Sequence, residues 1–316
     1  MDAIYDILGI PFGYVLRFIF EAVHNYGLAL ILFTLFARLL MIPTSIYQMK
    51  GTVKTQRLQP KIRRINAKYK GDQKKIQEET QALYQREGHN PMNMGCAPLM
   101  VQFVIIFGLI GVIYHPLRWA LAVDDTTIGA LTDIAEGLAT YNAKTDLRTV
   151  ELFIINHIGE IGPIAVAQGI SESVIDNIAG FNFTFLGLSL GQVPSFKDPG
   201  VLWIVPILSG VTSLGSSLFS MLQQRKNNPE MSKNPTMGCM AVFMPLFSMY
   251  FTFQFPAGIG IYWIASNIFS LIQTVVLSFT HSPKKMIAKA MVDETVERRS
   301  REENLKRALT QKAEDK

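Results

Sequence analysis

The chain has 316 residues, of which 49% are hydrophobic and only 17% charged, with a formal net charge of +5. Soluble domains usually carry about 25% charged residues, so this balance excludes an ordinary water-soluble domain and points to the membrane. Cys96, Cys239 and five scattered histidines offer no metal-ligand spacing, and the two cysteines read as small buried hydrophobes.

The opening MDAIYDILGIPFG begins with acids and has no basic flank, so neither a secretory signal nor a transit peptide is expected. Residues 1–25 mix apolar positions with Asp2, Asp6, Arg17 and Glu21. They suit a helix lying in the membrane interface, or an extension of the span that follows. That first span is expected over 26–47, YGLALILFTLFARLLMIPTSIY, because about 20 helical residues cross a hydrocarbon core of about 30 Å.

Residues 50–90 then hold eleven Lys/Arg. Leu58, Ile62, Ile65 and Tyr69 repeat at helical spacing, Gly71-Asp72 breaks the pattern, and Ile76, Thr80, Leu83 and Glu87 resume it. This predicts a basic helical hairpin, with Gly88 at its C-terminal cap and Pro60 near a helix start or at a kink. A second span is expected over 92–116. The connection 117–200 carries ten acids against four basic residues and reads as water-exposed, with short helices. Within it VELFIINHIG is apolar but too short to cross.

Further spans are expected over 201–222, 237–255 and 257–279, with a polar loop at 223–236. The tail 281–316 has ten Lys/Arg against seven acids. The hairpin, the polar loop and the tail are all basic, and five spans place them on one side. By the bias of short basic segments that side is the cytoplasm, so the N-terminus and 117–200 lie outside a bacterial plasma membrane.

Arg38 is the residue to explain. It sits about 18 Å of helix rise from Tyr26 and about 14 Å from Tyr47, too deep to reach head groups easily. Leaving it in lipid costs about 2.5–3.5 kcal/mol or more. A structural arginine would ordinarily pair with an intramembrane carboxylate, and no Asp or Glu falls within any expected span, which leaves backbone carbonyls or hydroxyls as the partners of such an arginine. The alternative is a cation in a water-filled cavity. Gln102, Ser209, Ser213, Asn267 and Gln273 are further polar residues in spans, although small polar side chains there often pack helices together. Trp263 fits an interfacial belt. The basic hairpin and tail fit either topology signals held at anionic lipid or docking onto a polyanion. No nucleophile elbow, phosphate loop or zinc motif is present, so neither enzymatic activity nor a cofactor or metal is expected. A small-solute or ion transporter is the alternative reading from another class.

Several segments resemble the YidC family of membrane protein insertases. They are LFARLLMIP, then LQPKIRRINAKYKGDQKKIQEETQALYQREGHNPMNMGCAPLMVQ, FLGLSLGQVP leading into LWIVPILSGVTSL, and MPLFSMYFTFQFPAGIGIYWIASNIFSLIQ. The resemblance implies an all-α membrane protein: five transmembrane helices around a hydrophilic groove, plus a mobile cytoplasmic hairpin. Arg38, Gln102 and Trp263 match groove positions, and Ser209, Ser213 and Asn267 are candidates to line it. Arg63, Arg64, Lys284, Lys285, Arg298 and Arg299 are candidates to contact ribosomes or targeting factors. The implied activity moves short polar tails of nascent membrane proteins across the bilayer and releases their helices into lipid. The implied partners are nascent chains, the ribosome, membrane lipids and the Sec translocon, but not DNA. Residues 117–182 match nothing in the resemblance.

Overall fold

A computed structural model describes residues 2–88, 91–142, 149–197, 199–227, 235–280 and 283–314. It is helical almost throughout and resolves into two compact units: Met1–Leu40, Leu99–Leu222 and Asn234–Leu271, and then Met41–Pro98, Gln223–Lys233 and Ile272–Lys316.

In the first unit, helix α1 (Asp2–Val23) ends before a left-handed His24, and α2 (Tyr26–Leu40) starts afresh, so α1 is not an extension of the first span. The Asn25 side chain caps the new helix, its Oδ1 accepting from the Leu28 N–H at 2.9 Å. Buried Leu16, Tyr26, Ala29, Leu30 and Phe33 supply this unit's core along α1 and α2. Helix α2 stops at Leu40, short of the expected Tyr47, and α3 (Ile42–Lys68) begins after Met41. Pro43 at the start of α3 is the cause: it has no N–H to donate and its ring clashes with the carbonyl four residues back. Helix α3 then runs through Lys50, where the composition changes, and carries Pro60 in its interior.

In the second unit α3 and α4 (Gln73–Arg86) form the expected hairpin. Gly71 at φ +100° makes the turn, and the Asp72 carboxylate accepts from the Lys75 N–H at 3.1 Å to cap α4. Gly88 is left-handed just past α4, as its spacing predicts. Helix α4 buries no residue. Lys61–Glu87 and Tyr69–Glu79 hydrogen bonds join it to α3, and an exposed ion pair such as Lys61–Glu87 contributes about 0–1 kcal/mol. Its amides should therefore exchange with solvent orders of magnitude faster than those of the apolar helices. Hydrogen-exchange mass spectrometry checks this, and equally slow exchange would contradict it.

The first unit continues with α5 (Pro91–Tyr114), whose described residues from Leu99 lie there. The connection that follows is a folded helical subdomain. It comprises α6 (Pro116–Trp119), α7 (Asp125–Glu136), α8 (Val150–Asn156), α9 (Ile158–Ala167) and α10 (Glu172–Ala179). Leu117, Leu131, Ile154, Ile161, Ala165 and Ile178 form its core. Helices α8 and α9 together are apolar enough to span, but they bend by 94° and both face this core.

Asp124 caps α7 through hydrogen bonds from the Thr126 hydroxyl and from the Thr127 N–H at 2.9 Å. These bonds, the Thr126 one first, pull its carboxyl from the ordinary 3.8 down to about 2. A depressed pKa stabilises the fold above the ordinary value and loses that contribution as pH falls through the folded one. The α7 N-terminus should thus fray between about pH 4 and 2, and Asp124→Ala should remove that pH dependence. Amide exchange of α7 followed against pH measures it.

A two-stranded hairpin, β1 (Thr184–Phe185) with β2 (Leu188–Ser189), precedes the next apolar helix. Leu190 O and Gln192 O accept from Gly258 and Ala257 N–H at 2.8 and 2.9 Å, fastening this loop to the start of a later helix. Phe185 lies against Gly27, where any side chain would collide with its ring.

A 3-10 turn (Val201–Trp203) leads into α11 (Ile204–Asn227), followed by α12 (Pro235–Thr252), α13 (Ala257–Thr280) and α14 (Pro283–Glu314). Val201–Gln223 and the helix beginning at Ala257 are long and apolar enough to cross a membrane, and α2 with α3 passes the same test as a broken pair. Met100–Tyr114 and Ala241–Thr252 are shorter apolar helices among the described residues. Exposed Leu246, Phe247 and Tyr250 on α12, and Val211 and Leu218 on α11, give these helices apolar surfaces suited to lipid. Cys239 is a free exposed thiol rather than a buried one. Cys96 falls among residues whose side chains lie outside the described set.

Candidate functional site

In the first unit three apolar helices bring a polar cluster together. The periodicity of α13 puts Tyr262 and Ser266 one turn apart on one face, and both are 3% exposed. The Arg38 guanidinium, at the end of α2, donates to the Ser266 hydroxyl. The Gln102 amide, on α5, donates to the Tyr262 hydroxyl at 3.1 Å. Tyr262 also bonds Ser266 and lies within the field of Arg38, so the four side chains form one connected network. No ion pair involves Arg38 among the described residues; its guanidinium donates to the neutral Ser266 hydroxyl. A buried acceptor set of this kind orients a guanidinium without neutralising it, leaving donors for an anionic visitor.

The neighbouring stripe of α13 carries Trp263 and Asn267. The Asn267 amide donates to Thr212 Oγ at 3.3 Å, and its backbone carbonyl accepts from the Ser216 hydroxyl at 3.1 Å. This joins α13 to α11. Trp263 lies 6.0 Å between ring centroids from both Phe251 and Phe255, at the end of an aromatic row that includes Phe247.

Ser209 is fully buried and shares a 3.2 Å hydrogen bond with Thr252, so it links α11 to α12 rather than joining the Arg38 network. Ser213 is half-buried and makes no side-chain hydrogen bond among the described residues. Two members of the network, Tyr262 and Ser266, escaped the sequence reading. Their i, i+4 spacing beside Trp263 and Asn267 was the available signal.

In the second unit the Gln273 amide donates to Ser45 Oγ at 2.8 Å, joining α13 to α3. Arg63 and Arg64 are exposed on α3, as are Lys285, Arg298 and Arg299 on α14; Arg298 has a loose ion pair with Glu302 at 3.8 Å. The Lys284 side chain lies outside the described residues. Helix α14 packs against α3, so tail and hairpin belong to one unit.

A family model described as 60Kd inner membrane protein matches residues 18–284. The chain belongs to this family, that of the YidC insertases.

Among curated relatives, the Bacillus subtilis membrane protein insertase MisCA is 29% identical over 257 residues, which are 80% of this chain and 70% of that protein. Membrane protein insertase YidC of Oceanobacillus iheyensis is 30% identical over 84% of this chain and 77% of its own. The YidC of Caldanaerobacter subterraneus is 29% identical over 83% of this chain and 89% of its own length. The chain covers only 35% of the Syntrophus aciditrophicus relative, a longer protein. Family and apolar helices together identify a multi-pass protein of the bacterial cell membrane that serves as a membrane protein insertase.

Proposed function

We propose that the chain inserts membrane proteins through a groove whose floor is the Arg38–Ser266–Tyr262–Gln102 network. The single observation that carries this reading is a cation in an apolar helix that, among the described residues, bonds a neutral hydroxyl and has no ion pair. A polar tail crossing about 30 Å of hydrocarbon meets a large desolvation cost. Hydroxyls, an amide and a guanidinium at mid-depth shorten that apolar stretch and give an acidic tail a temporary counter-charge. The client's apolar helix then leaves sideways into lipid, driven by its own transfer free energy. The step breaks no covalent bond, so the protein acts without enzymatic chemistry. Five spans, with the basic hairpin and tail in the cytoplasm and the N-terminus and 117–200 subdomain outside, fit the distribution of charge. Exposed Arg63, Arg64, Lys285, Arg298 and Arg299 suit contact with ribosomal phosphates, and Sec translocon association is compatible with the same topology.

Site-specific photocrosslinking tests the groove. Probes replacing Gln102 or Ser266 should capture a ribosome-bound client in native membranes, and a probe at exposed Phe243 on α12 should capture lipid instead. A client captured at Phe243 alone would overturn the proposal.

A further inference from the structure

We propose that the β1–β2 hairpin is a membrane anchor, with its turn residue Leu186 inserted among lipids at the interface where α11 enters the bilayer. The two-residue turn between Phe185 and Leu188 holds Leu186 at φ +52° and Gly187 at φ +79°. Left-handed central residues match the twist of such a hairpin, and asparagine followed by glycine adopts them at least cost. Leucine does so poorly, because its Cβ crowds the following carbonyl. No burial within the protein compensates: at 85% exposure Leu186 is the most exposed large apolar side chain among the described residues. A leucine held in a disfavoured backbone and kept off the core has its favourable surroundings outside the chain.

Three observations make lipid those surroundings. Residues 177–196 hold no Asp, Glu, Lys or Arg, although the connection they belong to is rich in acids, and charge resumes only at Lys197 and Asp198. Such a stretch beside a span suits a layer from which charge is expelled. The depth is right as well. Gly187 and Leu188 share a cleft of about 540 Å³ with Val201 and Leu202, the first residues of the apolar segment Val201–Gln223. The turn therefore stands level with the point where that helix meets hydrocarbon. Its neighbours are also apolar and exposed: Val193 and Val201 border the same cleft, Phe196 lies 6.0 Å from Trp203 between ring centroids, and Ile204 follows. This patch runs on into the exposed apolar side of α11, so turn and helix present one surface to one solvent.

The hairpin is fastened well enough to act as a strut. Leu190 N–H donates to Phe183 O at 3.0 Å, Leu190 O accepts from Gly258 N–H on α13, and Phe185 lies over Gly27 on α2. An inserted tip thus fixes the ends of α2 and α13 relative to the lipid surface.

The test uses the full chain in vesicles of phosphatidylcholine and phosphatidylglycerol. A diazirine amino acid at position 186 should give, on illumination, adducts with the mass of a phospholipid. The same probe at position 172, exposed on α10 in the acidic part of the connection, should give water adducts. Water adducts alone at 186 would overturn the proposal, and peptide adducts there would make a polypeptide the occupant and overturn it too. A spin label on Val193→Cys, with Cys96 and Cys239 replaced by serine, reads depth while Leu186 stays in place. Oxygen, which concentrates in lipid, should relax the label more than a water-soluble nickel chelate does. Leu186→Asn suits the left-handed turn, and slow exchange of the Gly258 amide checks that the hairpin persists. It should lower the ratio of inserted to free tips about tenfold or more, the loss of one leucine side chain's transfer into lipid, and turn the label toward the chelate. Leu186→Met, which stays apolar, should leave the label in lipid. A label unmoved in Leu186→Asn, or equally exposed to the chelate in both variants, would overturn Leu186 as the anchor. Neither readout depends on the insertase groove.

Discussion

Arg38→Ala is expected to slow insertion about tenfold or more for a client with an acidic tail, and far less for the same client with a neutral tail. The magnitude follows from losing a charge-assisted contact in a poorly hydrated site, worth about 1.5–3 kcal/mol. Arg38→Lys should keep much of the rate, since the cation remains; it loses the fork that lets guanidinium hold Ser266 and a carboxylate at once. Arg38→Glu should be worse than alanine, because it repels an acidic tail or sits protonated beside the Tyr262 and Ser266 hydroxyls. Moving the cation one turn back is not open: Thr34 is 1% exposed and its hydroxyl already donates to Leu30 O at 2.7 Å. Tyr262→Phe separates positioning from charge. It leaves Arg38 in place but removes the acceptor for Gln102, so both tails should slow together. Reconstituted vesicles and one client carried in acidic-tail and neutral-tail versions make the measurement. Equal losses in Arg38→Ala for both tails would mean that the arginine hydrates the groove, and that charge pairing is the wrong account.

Arg38 was legible from the sequence because a lone cation in an apolar run has a cost that something must offset, and no carboxylate stood in any span to do so. Tyr262 and Ser266 were not, because neither residue type is costly in a membrane until its partner is known. Ser209 read as a groove candidate by residue type, yet its burial against Thr252 makes it a helix link; the sequence pattern is the same in both cases. The end of α2 was half legible. Pro43 announces a break, but the apolar run continues to Tyr47 and hides it. The 117–180 region was the least readable. Its helices are short, and each buries only a few residues, Ile175 and Ile178 on α10 for example. Such a core is assembled from many elements, and no single stretch has the periodicity to declare it.

Glu151 shows what that region conceals, and its replacement carries the second large effect. Counted among the acids it looked like solvated charge, yet it is 1% exposed in the first turn of apolar α8. Its carboxylate accepts from the Leu117 N–H at 2.8 Å and the Arg118 N–H at 3.3 Å, and its other oxygen lies 2.8 Å from His115 Nδ1. One side chain thus satisfies the orphan donors at the start of α6 and ties the end of α5 to the subdomain core. Glu151→Ala would leave the buried Leu117 N–H and the part-buried Arg118 N–H without this acceptor, with a cavity beneath them. Each unsatisfied donor costs about 1–3 kcal/mol, so the subdomain should lose about 3 kcal/mol or more. Glu151→Gln keeps the shape and one acceptor oxygen, and it should cost roughly half as much. Amide exchange resolved by peptide is the measurement. In Glu151→Ala, protection should collapse across α7 to α10 while α11 and α13 stay slow, because the subdomain has its own core. Unchanged protection at Leu131 and Ile154 would mean that water replaces the carboxylate at the helix end, and that this buried acid contributes little to the fold.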